Sequence, residues 1–172
     1  MYFPVIQQFQ RTLRSLDAIL GKAVLHAETK KFSPDNFLTA RLAPDMLPFT
    51  RQIQMACDTA KRATASLVNK AAPVHEDTEQ TMAQLRERIA KCLAYLGEFR
   101  AEDFAKVTAK TEVKLPNPPG KAMHAEDALF ARAVPNFFFH VMVAYSLLRA
   151  GGVEIGKMDY LGDLPAMFDQ ST

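Results

Sequence analysis

The stretch Asp45-Met46-Leu47-Pro48-Phe49-Thr50-Arg51-Gln52-Ile53-Gln54-Met55-Ala56-Cys57-Asp58-Thr59-Ala60-Lys61-Arg62-Ala63-Thr64-Ala65-Ser66-Leu67-Val68-Asn69 decides the fold. Met46, Phe49, Ile53, Ala56, Ala60, Ala63 and Leu67 follow one another by alternating steps of three and four. That is the rhythm of a helix burying one face, so the spacing predicts a helix over 45–69. Pro48 falls in its first turn, where no needed donor is lost. The alanines on the stripe let a neighbouring helix come close.

The same period recurs on either side. Phe3, Ile6, Phe9, Leu13, Leu16, Leu20, Ala23 and Ala27 predict a helix over 3–28, with Gly21 inside it as a mark of close packing. Thr78, Met82, Leu85, Ile89, Cys92, Leu96 and Phe99 predict one over 77–99, with Asp77 and Gln80 at capping-box spacing. Phe130, Val134, Phe137, Val141, Ala144 and Leu148 predict a fourth over 127–150, interrupted near Pro135 and stopped by Gly151-Gly152. Ser33-Pro34-Asp35 starts a short helix, and Ala43-Pro44-Asp45 restarts the chain.

Between the third and fourth helices the period changes. Val107, Ala109, Thr111, Val113 and Leu115 alternate with polar residues, the sign of a half-buried strand, and Asn117-Pro118-Pro119-Gly120 reads as a turn. A short β hairpin or extended crossover fits. The tail 153–172 reads as loop, with one turn near Leu164–Phe168. The pattern predicts an all-α, antiparallel four-helix bundle with a long crossover before the last helix, as one domain over 1–172.

Composition narrows the function classes. The 172 residues are 48% hydrophobic, enough for a core. Twenty-one Lys and Arg against 19 Asp and Glu leave a net charge of +2, too balanced for general nucleic-acid binding. Two cysteines exclude a disulfide scaffold. No apolar run reads as a membrane span, and the N-terminus lacks the basic and apolar regions of a signal peptide. The expectation is a cytoplasmic protein.

Most chemistry-bearing residues have plain readings. Gly151 to Lys157 matches G-x-x-x-x-G-K, but Met158 replaces the Ser or Thr and a helix precedes it, so no phosphate loop is expected. Cys57 and Cys92 read as buried, inert thiols. His26, His75 and His124 read as solvated. His140 differs: it lies within Phe137-Phe138-Phe139-His140-Val141-Met142-Val143, and there it must find a hydrogen-bond partner. Asn136, four residues earlier, shares its helix face. The pair is either a polar contact that fixes helix register or the floor of a pocket.

Asn136-x-x-x-His140, Leu148-Arg149-x-Gly151 and Asp159 resemble the last helix of the DinB/YfiT-like proteins. Arg41-Leu42-Ala43-Pro44-Asp45-Met46, Gln52-x-Gln54-x-x-Cys57-Asp58 and Pro135-Asn136-Phe137-x-Phe139-His140 resemble an uncharacterised bacterial branch of that superfamily, over most of the chain. The resemblance implies a site with three histidines, one from the second helix and an H-x-x-x-H pair from the fourth, around zinc, nickel or iron. Here His140 matches the second histidine of the pair, Asn136 stands at the first, and Gln52 stands near the second-helix ligand.

One imidazole with two carboxamides is a poor transition-metal set. No cofactor is therefore expected, and any metal would rest on His140. The pocket candidates are Asp45, Gln52, Asn136 and His140. His140 is expected to be buried and bonded to Gln7, Gln10, Asp45, Gln52 or Asp58, with Gln52 preferred. The implied function is small-molecule or thiol-related binding at a degenerate metal pocket. The alternatives are a metal-dependent transferase or hydrolase and a structural homodimer without a chemical site; a homodimer is expected in any case.

Overall fold

The computed structural model describes residues 1–115 and 120–164. Helix α1 spans Phe3–Lys30 and buries Ile6, Phe9, Leu13, Leu16, Leu20 and Ala23 completely, the stripe the spacing predicts. Lys31 closes it in the left-handed region (φ 60°), and the Phe32 N–H returns to the Ala27 carbonyl at 3.0 Å. A 3₁₀ turn, Pro34–Phe37, follows, with the Ser33 hydroxyl accepting from the Asp35 N–H. Gly21 packs under the Arg86 guanidinium, which reaches Asp17 through two bonds of 2.8 and 2.9 Å.

Helix α2 spans Phe49–Leu67 and so begins four residues later than 45. The reason is Pro48, whose ring keeps Leu47 out of the helical region; Pro48 itself sits at the cap with ψ 167°. Helix α3 spans Met82–Leu96. Its capping box is Thr81 with Gln84, not Asp77 with Gln80: the Gln84 N–H donates to Thr81 Oγ1 (3.2 Å) and the Thr81 N–H to Gln84 Oε1 (3.1 Å). Asp77 is held instead by Arg51 and Arg88.

The crossover holds a 3₁₀ turn, Ala101–Phe104, and strands β1, Glu112–Lys114, and β2, Ala122–His124. They pair antiparallel with Val113 opposite Met123. The alternation over 107–115 is longer than the strand because only three residues find a partner; Val113 alone of them turns into the core. The predicted turn at 117–120 falls mostly outside the described residues, as does most of Leu164–Phe168.

The last long helix opens as a π-helix, Asp127–Ala133, and continues as α4, Val134–Ala150. Pro135 lacks an N–H and would crowd the carbonyl four residues back; a wider turn ahead of it relieves both. The extra residue shifts the register. Leu129 and Ala133 are buried where the stripe predicted Phe130 and Val134, and Phe130 is 40% exposed. The tail also departs from the loop reading: Lys157–Leu161 forms helix α5, with the Gly156 N–H donating to Asp159 Oδ2 at 2.8 Å. Lys22 of α1 pairs with Asp159.

The four long helices make the bundle, with α4 packed most extensively on α2, α2 on α3, and α1 on α3. By length and composition Asp127–Ala150 passes as a possible membrane span, contrary to the sequence reading. In this fold it lies against α2 as a wall of the core.

Candidate functional site

The site is built at the α2–α4 seam. Pro48 caps α2 and keeps Leu47 out of it, so the Leu47 carbonyl lies outside the helix ladder and can accept. The Gln52 Nε2–H donates to it at 2.8 Å. That bond fixes the amide, and Gln52 Oε1 therefore faces α4. His140 Nδ1 lies 2.8 Å from it. With an oxygen opposite, Nδ1 carries the proton, and the neutral ring keeps its lone pair on Nε2. Gln52 is 1% and His140 6% exposed. Burial, with repulsion from Arg51, holds the His140 pKa below its ordinary 6.5.

The other expected members separate. Asn136 is half-buried, and its Nδ2–H donates to Thr59 Oγ1 at 2.7 Å rather than meeting His140. Gln52 and Thr59 are two turns apart on α2, so the two α4 side chains reach different levels of the seam. Asp45 is exposed in the loop before α2 and takes no part. Asp58 is spent on Lys61 (3.0 Å), Arg62 (2.9 Å) and Arg88 (2.9 Å). Gln7 and Gln10 of α1 do not reach His140 either.

The donor set does not fit a three-histidine metal centre. It comprises one imidazole, with Nε2 as its ligating atom, and two neutral carboxamides with amide groups committed to Leu47 and Thr59. Among the described residues no three His, Cys, Asp or Glu side chains gather as metal ligands.

At the Asn136–Thr59 level of the seam lies a groove of about 840 Å³, which Asn136 lines but Asp45, Gln52 and His140 do not. Asn136, Thr59, Met55 and Phe139 form one end; β1 and the π-helix form the far walls. The volume falls in the range of small-molecule sites.

Sequence reasoning missed a buried ion network. Arg88, 2% exposed, bonds to Asp58 (2.9 Å), Asp77 (2.9 Å), Glu79 (2.8 Å) and the Glu76 carbonyl (3.1 Å). Lys61 adds Asp58 and the Pro73 carbonyl, and the Gln54 amide adds Glu79. The network straps the 68–81 connection onto α2 and α3. Burial raises the Asp77 and Glu79 carboxyl pKa values, but their arginine bonds outweigh it and hold both below the ordinary range. The available signal was position: Arg88 follows Leu85 by three and precedes Ile89, inside the apolar register.

The remaining candidates are structural. Cys57 and Cys92 are both buried, with the Cys92 thiol 3.5 Å from the Cys57 carbonyl; the bond to Cys92, then burial, pushes the Cys57 thiol well up. His75 is not solvated as expected: its Nδ1 is buried without a partner, and burial, then Lys61 and Arg88, lower its pKa. His26 packs on Phe32 and Phe37, and His124 is exposed. Gly151 to Gly156 is the loop between α4 and α5, with Gly152 at φ 91°, and Lys157 opens α5.

Residues 1–161 match the family model DUF1993, a domain of unknown function. The solved structure of a DinB family member protein from Shewanella denitrificans is 43% identical to this chain, covering 95% of it and 93% of its own length, with a TM-score of 0.89. No curated protein matches.

Proposed function

From the premise that the chain belongs to the DUF1993 family, a DinB-like family of unknown function, we propose that it is a small-molecule-binding bundle in which the metal position of its fold is degenerate. The observation that carries this reading is the Gln52–His140 hydrogen bond. It sets a carboxamide on α2 where the resemblance implies a second-helix imidazole, and the groove lined by Asn136 and Thr59 on the same seam is the space for a ligand. Thiol-bearing compounds are part of the ligand class to be tried. A homodimer is the expected assembly, which light scattering reads directly.

The test uses protein purified without a chelating tag. Elemental analysis is expected to give no stoichiometric zinc, nickel or iron. A thermal-shift screen of thiols, divalent metals and apolar compounds is expected to raise the melting temperature with an organic compound, an effect abolished by Ala131→Trp, which fills the groove. Stoichiometric zinc or nickel at neutral pH, lost in His140→Ala, would overturn the reading in favour of a metal-dependent transferase or hydrolase.

A further inference from the structure

The groove has a charge as well as a size. Arg62, Lys70, Lys114 and Arg132 line it, against the single carboxylate of Asp58. That carboxylate is already shared among Arg88, Lys61 and Arg62, so it does not offset Lys70 and Lys114. Lys70 lies over the Phe99 ring at 5.3 Å, and neither it nor Lys114 makes an ion pair among the described residues. The chain as a whole is balanced to +2, whereas the lining of this cavity has four cationic side chains and one carboxylate.

Under the cations the walls are apolar. Met55, Phe139 and Val113 of β1, the last 3% exposed, line the groove. The π-helix contributes Ala128, Ala131 and Ala133. These small side chains, on a turn widened by one residue, give the groove its depth. Thr59, Ser66 and Asn136 are neutral, and Thr59 and Asn136 bond to each other, which leaves the lysines as the charged feature that would select a ligand.

We propose that the groove takes an amphipathic oxyanion, a carboxylate or phosphate ester on an apolar body, with the anion against Lys70 and Lys114 and the body along Met55, Val113 and Phe139. This rests on the reading of the groove as a ligand site and names the ligand class. An oxyanion there gains charge-assisted bonds in a partly desolvated cavity, while the body displaces water from apolar walls.

The test is isothermal titration calorimetry on the full chain, with decanoate, decyl phosphate, decanol and acetate below micellar concentrations. The two amphipathic anions are expected to bind, decanol about tenfold more weakly, and acetate without detectable heat. Decanoate against decyl phosphate then tells which oxyanion is preferred. Lys70→Gln with Lys114→Gln is expected to weaken the anions about tenfold and leave decanol unchanged; both positions are exposed, so the fold is retained and a matching melting temperature verifies it. Added salt is expected to weaken the anions alone. Equal affinity for decanol and decanoate, or no effect of the double substitution, would overturn the anion inference and leave the groove as a ligand site. Binding of no probe, or binding unchanged by Ala131→Trp, would overturn both readings.

Discussion

Gln52 and His140 stand 88 residues apart in the chain and 2.8 Å apart across the α2–α4 seam. The contact joins the two helices that share the most extensive packing in the bundle. Removing the ring alone strands Gln52 Oε1 in a site where Gln52 is 1% exposed. His140→Phe is therefore expected to cost roughly 1–3 kcal/mol, the penalty of an unpaired buried polar group. Replacing both residues, His140→Phe with Gln52→Leu, is expected to recover part of that loss. Urea denaturation of the single and double variants measures the difference. A double variant no better than the single would show that packing, not the hydrogen bond, sets the cost.

Acid should weaken the fold through two histidines. His140 and His75 both have pKa values held below 6.5 by burial, with nearby arginine or lysine adding to the effect. The unfolded chain then binds more protons than the folded one as pH drops below about 6.5, so stability rises with pH across that window and falls on acidification. Of the groups beside His140, cationic Arg51 adds to the effect of burial, while Gln52 is neutral and only accepts from Nδ1–H. Denaturation midpoints at pH 7.5 and 5.5 are expected to differ, and His140→Phe to reduce the difference. An unchanged slope in that variant would leave His75 as the source.

Arg88 and Arg62 test depth against the same carboxylate. Both bond to Asp58 at 2.9 Å, but the Arg88 side chain is 1% exposed and that of Arg62 is 59% exposed. Arg88→Met leaves Asp58 and Glu79 short of a buried partner and is expected to cost roughly 3–5 kcal/mol. Arg62→Ala is expected to cost under about 1 kcal/mol. Comparable losses in chemical denaturation would refute the division.

Gly162 is set against α1. Its φ is 63°, and a Cβ there would lie 1.9 Å from Ser15 Oγ. Gly162→Ala is expected to destabilise by roughly 1–3 kcal/mol, from backbone strain plus overpacking. Adding Ser15→Ala removes the nearest atom but not the strain, so the pair is expected to recover only part. Limited proteolysis should show the loss as faster cleavage around α5.

What could be read beforehand follows the range of the interaction. The stripes of α1, α2 and α3 were legible because burial of one helix face repeats along the chain. The α4 register was misread upstream of Pro135, since the stripe assumes one period and the proline imposes a wider turn. The starts of α2 and α3 were misplaced because Asp45 and Asp77 are plausible caps locally, whereas Pro48 and a pair of arginines decide them. Gln52 was reachable as the partner of His140 from the helix order and the resemblance. The parting of Asn136 toward Thr59, and the use of Asp58 by three cations, depend on how the seam is levelled and on a connection folded back over two helices. Neither leaves a local trace.

The order of synthesis gives the apolar α4 a further meaning. Helices α1 to α3 leave the ribosome before it does, and the face of α2 that α4 covers stays open until then. Closure across the 88-residue separation of Gln52 and His140 carries a large loop entropy, so it comes late. Through that interval the nascent chain presents an uncovered apolar seam, followed by the most apolar of the four long helices. The fold's most extensive contact is thus also its window of exposure to misassociation and to chaperones.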